Sequence, residues 1–109
     1  MSNRIRRHHR SLSGVAVTTS VTTTAETDFV SAAGGCVIVP AGAAISALAY
    51  YGAREPGATF VAIQDSTGSP VTQSVSAGNG YPLPDSCFGY GALKLVGDAA
   101  GSVDLSLKG

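Results

Sequence analysis

The chain has 109 residues, enough for one domain, and its seven basic and seven acidic residues give a formal net charge of zero. Charged residues make up 13% of the sequence, about half of the roughly 25% found in an average globular protein. No apolar run approaches the ~18 residues of a membrane span and no apolar segment follows the basic start, so we expect neither a spanning helix nor a signal peptide. The scarcity of long charged side chains predicts a surface covered by other protein; a plain uncharged surface is the alternative.

A basic segment, MSNRIRRHHRSLS, opens the chain and holds four of the seven basic residues: Arg4, Arg6, Arg7 and Arg10. All seven acids come after it, so the remainder of the chain is net negative. Because it has few apolar residues, segment 1–13 is predicted to be an extended arm outside a β domain at 14–109. Such an arm suits docking onto an acidic protein surface, with a solvated tail as the alternative. Four arginines without interleaved aromatic residues argue against nucleic acid as the partner.

The β-branched residues of segment 14–24 alternate along the chain. This pattern predicts a long strand, or two strands with a bend, because β-branched side chains fit a pleated surface. A short strand is predicted around Phe29, and the apolar run CVIV at 36–39 is typical of a strand buried on both faces.

Three apolar or β-branched runs follow at 45–51, 59–63 and 71–75. The sequences REPG and DSTGSP separate them, and both are rich in the residues that form turns. Short runs closed by such turns predict an antiparallel meander of three strands.

Segment 76–91 is predicted to be the longest irregular connection, because its glycines and prolines suit neither a helix nor a central strand. It carries three of the seven aromatic residues: Tyr81, Phe88 and Tyr90. One interpretation is an aromatic patch that binds a partner or a sugar ring, since irregular connections often carry binding residues. The other is a lid that closes one end of the core.

Two further strands are predicted at 92–96 and 102–108, the second with clean alternation of apolar and polar residues. The total is seven or eight short strands with no amphipathic helix between them. This pattern predicts an all-β fold, an antiparallel β-sandwich, and the jelly roll is one arrangement that fits it.

The residues that usually carry chemistry form no recognisable constellation. His8 and His9 both lie in the predicted arm, which removes the base that a Ser-His-Asp triad needs in the folded body. The acids are scattered and lack the Asp-x-Asp spacing of a calcium loop. Cys36 and Cys87 form no Cys-x-x-Cys motif, and either one disulfide or two reduced thiols fits the sequence. We therefore expect no enzyme activity, no cofactor and no bound metal.

Several motifs between residues 14 and 109 resemble small β-sandwich proteins of tailed bacteriophages. In chain order they are Leu48 with Tyr50-Tyr51, Gly57 to Phe60, Asp65 to Gly68, Tyr81 to Pro84, and Leu93 to Val96. The resemblance implies a capsid decoration (cement) protein, which lies on the outer shell and joins neighbouring major capsid subunits. It also implies a homo-oligomer, commonly a trimer, found on the capsid surface of a virion and made in the host cytoplasm. It brings no catalytic residues with it.

The leading hypothesis is a structural virion protein that decorates and stabilises a bacteriophage capsid by binding major capsid subunits through its arm and its uncharged faces. The alternative is a carbohydrate- or receptor-binding β module on a phage tail or fibre, using Tyr81, Phe88 and Tyr90. A tail or head-completion subunit of the same fold is the third hypothesis.

Overall fold

A computed structural model describes residues 9–30 and 32–108. These residues form nine β-strands and one 3-10 helix, Asp85–Cys87. The strands are β1 His9–Val17, β2 Glu26–Asp28, β3 Gly34–Val39, β4 Ala47–Ala53, β5 Val61–Ala62, β6 Thr72–Ser74, β7 Asn79–Pro82, β8 Ala92–Gly97 and β9 Gly101–Lys108.

The strands make two antiparallel sheets, which pack face to face. Sheet I has the strand order β1-β9-β3-β7, and sheet II has the order β2-β8-β4-β5, with β6 also paired to β4. The expected all-β antiparallel sandwich is confirmed. Segment 76–91, predicted to be irregular, contains β7, which can include Pro82 because an edge strand leaves every second N–H unused.

Alternate residues of each strand fill the space between the sheets. In β9, Val103, Leu105 and Leu107 are buried while their neighbours are at least partly exposed. In β4, Leu48 and Tyr50 point inward in the same way. The facing rows produce one continuous apolar core, as the alternation in the sequence predicts.

Strand β1 begins at His9, where it pairs with Lys108, so residues 9–13 of the predicted arm belong to the sandwich. Segment 1–8 lies outside the described residues. A β-bulge lies between Leu12 and Val15. Leu12 and Val15 are three positions apart and would point to opposite faces in a regular strand, but the one extra residue of the bulge turns both side chains toward the core. Gly14 supplies the bulge with its left-handed conformation, φ +66°.

The strand predicted over 14–24 ends earlier, at Val17. Beyond it, Ser20 accepts hydrogen bonds from the backbone N–H groups of Thr23 and Thr24, which closes a turn. Hydroxyl side chains compete with a sheet for such backbone groups, so a run of Ser and Thr favours the turn over a longer strand.

The meander predicted over 45–75 is wrong in its third strand, because β5 and β6 both pair with β4, along the same edge. Tyr50 lies at the junction: its carbonyl accepts from Ile63 N–H and its N–H donates to Val71 carbonyl. Segment 64–70 therefore leaves and rejoins the sheet at one β4 residue, and it forms an exposed loop outside the edge. The two short strands act as one interrupted edge strand.

Candidate protein-binding surfaces

The outer face of sheet II is built mainly from small and aromatic side chains. Strand β4 turns Ala47, Ala49 and Tyr51 outward, because the residues between them are buried in the core. Val96 lies opposite Ala49 on β8, and Thr72 lies opposite it on β6. Alternation thus places an uncharged row across the middle of this sheet.

A shallow depression of about 240 Å³ lies on this face. It is lined by Ala47, Leu48, Ala49, Thr72, Val96, Gly97 and Asp98. Short side chains leave the backbone of the sheet close to the surface here, so a flat protein surface can approach it closely.

Lys94 is the basic residue of this face, and its contacts hold it in place. Its Nζ donates to the carbonyl of Val21 at 2.8 Å and lies 4.8 Å from the centre of the Phe60 ring. Glu26 is its cross-strand neighbour on β2. The ammonium group therefore ties two connecting segments to the sheet. Sequence analysis missed Lys94 and Phe60, although a lone lysine inside the apolar run ALKLV marks an outward position.

The outer face of sheet I is also poor in charge. Ile38 is 42% exposed at its centre, next to Gly80 on β7 and Asp104 on β9. The prediction that the run CVIV is buried on both faces is therefore wrong: Val37 and Val39 are buried and Ile38 points outward. No layer within the described residues covers this side of β3.

The edge strands of sheet I carry features that oppose pairing with another chain. Arg10 in β1 lies opposite buried Leu107, so a charged side chain stands on the inner side of this edge. The bulge at Gly14 bends the same strand. At the other edge, β7 ends at Pro82. Inward charges, bulges and prolines are recognised obstacles to edge pairing.

The edges of sheet II are blunted as well. Strand β2 has only three residues, of which Glu26 and Asp28 are exposed and acidic. The opposite edge is interrupted by the loop at 64–70. Within the described part of the chain, the faces therefore suit a protein partner better than the edges do.

The three aromatic residues predicted to bind a partner are each half-buried against the core. Phe88 stacks on Phe29 with ring centroids 5.4 Å apart. The ring of Tyr90 lies against Gly52, where an added Cβ would overlap it at 2.6 Å. Tyr81, on strand β7, accepts the backbone N–H of Ser76 through its hydroxyl at 2.8 Å. These contacts agree with a lid that closes the core, and binding by these residues stays a prediction.

Of the four arginines predicted to bind a partner, Arg4, Arg6 and Arg7 lie outside the described residues. Arg10 lies in β1 and reaches across to sheet II, where its guanidinium donates to the backbone carbonyl of Asp28. It therefore joins the two edge strands at one side of the sandwich, a role that the sequence pattern gave no means to assign.

Two exposed carboxylates fix loops. Hydrogen bonds from the Ser46 hydroxyl and N–H and from Ala47 N–H lower the pKa of Asp98. Hydrogen bonds from Thr67 and Ser69 lower the pKa of Asp65 in the same way. Asp65 caps its own turn, whereas Asp98 joins the turn before β9 to the start of β4.

Two buried acidic groups lie together inside the sandwich. Burial, with a smaller effect from nearby Cys87, raises the pKa of the Tyr50 hydroxyl, which donates to Gln73 Oε1 at 2.6 Å. Burial also raises the pKa of the Cys87 thiol to about 12. Cys36 and Cys87 are both free thiols in the structure.

Because the pKa values of Tyr50 and Cys87 are raised in the folded chain, we expect the free energy of unfolding to decrease at alkaline pH. The ordinary pKa is 9.0 for the Cys87 thiol and 10.0 for the Tyr50 hydroxyl, so the unfolded chain releases these protons near those pH values. The folded chain keeps both protons to higher pH, because burial raises both pKa values. Stability present below pH 9 should fall as the pH rises toward 12, by up to about 1.4 kcal/mol per pH unit for each group. Urea unfolding between pH 8 and 10.5 measures this slope. Cys87→Ala should reduce it relative to the unmodified chain; an unchanged slope would contradict the assignment.

No group of three or more His, Cys, Asp or Glu side chains in the described residues is placed to hold a metal ion. No helix in the same part of the chain has the length and apolar character needed to cross a membrane.

Comparisons with protein-family models, with curated proteins and with solved structures return no match.

Proposed function

We propose that the protein is a structural component that covers and joins protein surfaces, as a capsid decoration protein of a tailed bacteriophage does. The observation that carries the proposal is the uncharged middle of the outer face of sheet II, where Ala47, Ala49, Thr72 and Val96 lie together. Burying alanine, threonine and valine at an interface costs little side-chain entropy, whereas burying lysine or glutamate costs more. The residues at the middle of this face are of the first kind, and its charged residues, Lys94, Glu26 and Asp28, lie on β8 and β2.

The order of the strands supports the jelly-roll form of the sandwich. If β5 and β6 are counted as one interrupted strand, the chain crosses between the sheets at nearly every step, from β1 in sheet I to β2 in sheet II and back to β3. Two four-stranded antiparallel sheets linked in this way are typical of eight-stranded jelly rolls, an architecture that occurs in capsid and lectin domains.

The basic arm gives the proposed function a second attachment. A short segment with several arginines is attracted to an acidic protein surface. Attachment through this segment leaves the outer faces of the two sheets available for other contacts. We therefore assign capsid binding to the face of sheet II and an additional, electrostatic attachment to the arm.

Ala49→Arg tests the face directly. The new side chain would fill the depression beside Val96 and place a bulky charged group at the centre of the proposed interface. We expect occupancy on purified capsids to fall at least about tenfold, because this side chain prevents close approach of the partner and must be desolvated for binding. Binding to capsids stripped of the protein, measured by quantitative gel, provides the readout.

Ala77→Arg is the matched control. It adds the same charge in an exposed turn outside both faces, and it should leave occupancy unchanged. Both variants should unfold at the temperature of the unmodified chain, which separates binding from folding. Full occupancy by the Ala49→Arg variant would exclude the face of sheet II as the attachment surface.

A further inference from the structure

A groove runs along the side of the sandwich where the edge strands β1 and β2 face each other. It has a volume of about 360 Å³. It is lined by Arg10, Leu12, Gly14, Val15, Ala16, Ala25, Glu26, Thr27 and Asp28. One end is closed by the hydrogen bond from Arg10 to the Asp28 carbonyl, and the other by the bond from Ala25 N–H to the Ala16 carbonyl, at 3.0 Å.

The floor of this β1–β2 groove is apolar and its rim on β2 is acidic. Leu12 and Val15 are partly buried and pack against the core from the floor. Glu26 and Asp28 are exposed along the β2 wall. The groove thus offers an apolar contact below and carboxylates above, which suits an extended basic peptide with an apolar residue at its centre.

The charges around the groove are mixed, with an acidic excess. Asp104, on neighbouring β9, lies outside the lining and accepts the N–H of Gly14 at 2.9 Å. Arg10 closes one end, and Lys94 lies beside Glu26 with its ammonium directed to the Val21 carbonyl. Among the lining residues, two carboxylates, Glu26 and Asp28, against one cation, Arg10, leave a net negative groove on a net negative body.

The arm of this chain has the matching pattern. In an extended segment, Ile5 points to one side while Arg4 and Arg6 point to the other. An isoleucine over the apolar floor would therefore place both arginines toward the carboxylates at the rim.

A hairpin of the same copy would not bring Ile5 to the floor of the groove. The tightest common hairpin has a two-residue loop. With residues 7–8 as that loop, Arg6 pairs with His9 and Ile5 with Arg10, at the closed end of the groove. Wider turns use more residues and move Ile5 still farther from the floor. The arm of another copy can enter the groove without this restriction.

We propose that residues 4–6 of one copy bind in the β1–β2 groove of a second copy, so that the arms link neighbouring copies to one another. The proposal deepens the function proposed above by identifying the acidic surface that the arm contacts. Its test contains no capsid, so its failure and the failure of capsid binding are separate results.

The test uses two full-length variants. Glu26→Gln with Asp28→Asn removes the rim charges, while the amide oxygens can still accept the hydrogen bonds from Gly57 and Val30. Arg4→Ser, Ile5→Ser and Arg6→Ser together disable the arm and leave the groove intact. Sedimentation equilibrium should show association of the unmodified chain, weakened at least about tenfold in each variant and by added salt. A mixture of the two variants should regain association, because one retains an arm and the other retains a groove.

Two further variants separate the groove from general electrostatics. Glu55→Gln with Asp85→Asn makes the same charge change at exposed carboxylates outside the groove and should leave association unchanged. Ile5→Ser alone keeps every charge and should still weaken association. A monomeric unmodified chain, full association of the rim variant, or no association in the mixture would each overturn the proposal.

Discussion

Gly91→Ala should destabilise the protein by about 3 kcal/mol, the upper part of the usual range for overpacking, and lower its Tm by roughly 10–20 °C. A Cβ at this position would overlap the carbonyl oxygen of Arg54 and lie 2.8 Å from its carbonyl carbon. The clash involves backbone on both sides, so no side chain can rotate to relieve it.

The backbone around Gly91 also has little freedom to move. Its N–H donates to the carbonyl of Ala53, and its own carbonyl accepts from Phe29 N–H, both at 2.9 Å. Gly91 therefore joins the chain after β2 to the end of β4, directly before β8 begins. Shifting it would break hydrogen bonds in two neighbouring elements, which is why we expect an effect larger than that of an ordinary glycine substitution.

Gly80→Ala is the matched control for this prediction. Gly80 is also a glycine beside a neighbouring strand, but a Cβ there would meet Ile38 at 3.7 Å, an ordinary contact. Because alanine also restricts the unfolded chain, this change should be neutral or stabilising by about 0.5 kcal/mol. Thermal unfolding followed by circular dichroism compares the two variants. A Gly91→Ala protein as stable as the Gly80→Ala protein would show that the backbone at Gly91 can relax.

Period-two alternation explains why the fold class was predictable from the sequence. Val103, Leu105 and Leu107 had to share one face of a strand, and the structure buries all three. Turn residues such as Asp65 and Gly68 also marked a real chain reversal. These signals are local, so they depend on neighbouring residues alone.

Register and pairing were not predictable, because they depend on contacts between distant segments. Alternation could not show that β6 would pair with β4, since that depends on where loop 64–70 rejoins the sheet. Alternation also placed the start of the sandwich after Ser13, whereas β1 begins at His9. Residues 9–13 are a strand because they pair with β9, and a local pattern does not reveal that pairing. The bulge at Gly14 is of the same kind: it reverses the alternation at one residue, and the sequence marks it only with a glycine.

The types of residue on the candidate surfaces were predictable from the sequence, but the places where those residues meet in the fold were not. The low charge content indicated a surface with few long charged side chains, and coverage by other protein stays a prediction; the side chains that shape the faces come from separate strands. Lys94 and Phe60 meet across β4, 34 positions apart in the sequence. Tyr81, Phe88 and Tyr90 are close in sequence, yet Tyr81 lies on the β7 edge and Tyr90 lies against Gly52 of β4.

Thr24→Val should cost about 2 kcal/mol, although it replaces one side chain by another of the same shape. Thr24 is buried in the turn that carries the chain from sheet I to sheet II. Its hydroxyl lies 2.7 Å from the carbonyl of Leu95 and 3.0 Å from that of Ala16, and it accepts Thr18 N–H at 3.3 Å. Valine would leave the Leu95 carbonyl, inside the sandwich, without this donor, and an unsatisfied buried polar group costs about 1–3 kcal/mol.

Thr24→Val should have a larger effect than a valine substitution at an exposed position of the same turn. Thr22 is exposed, and its hydroxyl contacts that of Ser20, so Thr22→Val should change the free energy of unfolding by less than about 0.5 kcal/mol. Thr24→Ser, which keeps the hydroxyl, should recover part of the lost stability. Urea unfolding of the three variants tests the assignment, and equal losses for valine at both positions would contradict it. The same turn holds Val21, whose carbonyl fixes Lys94, so loosening it should also disturb the outer face of sheet II.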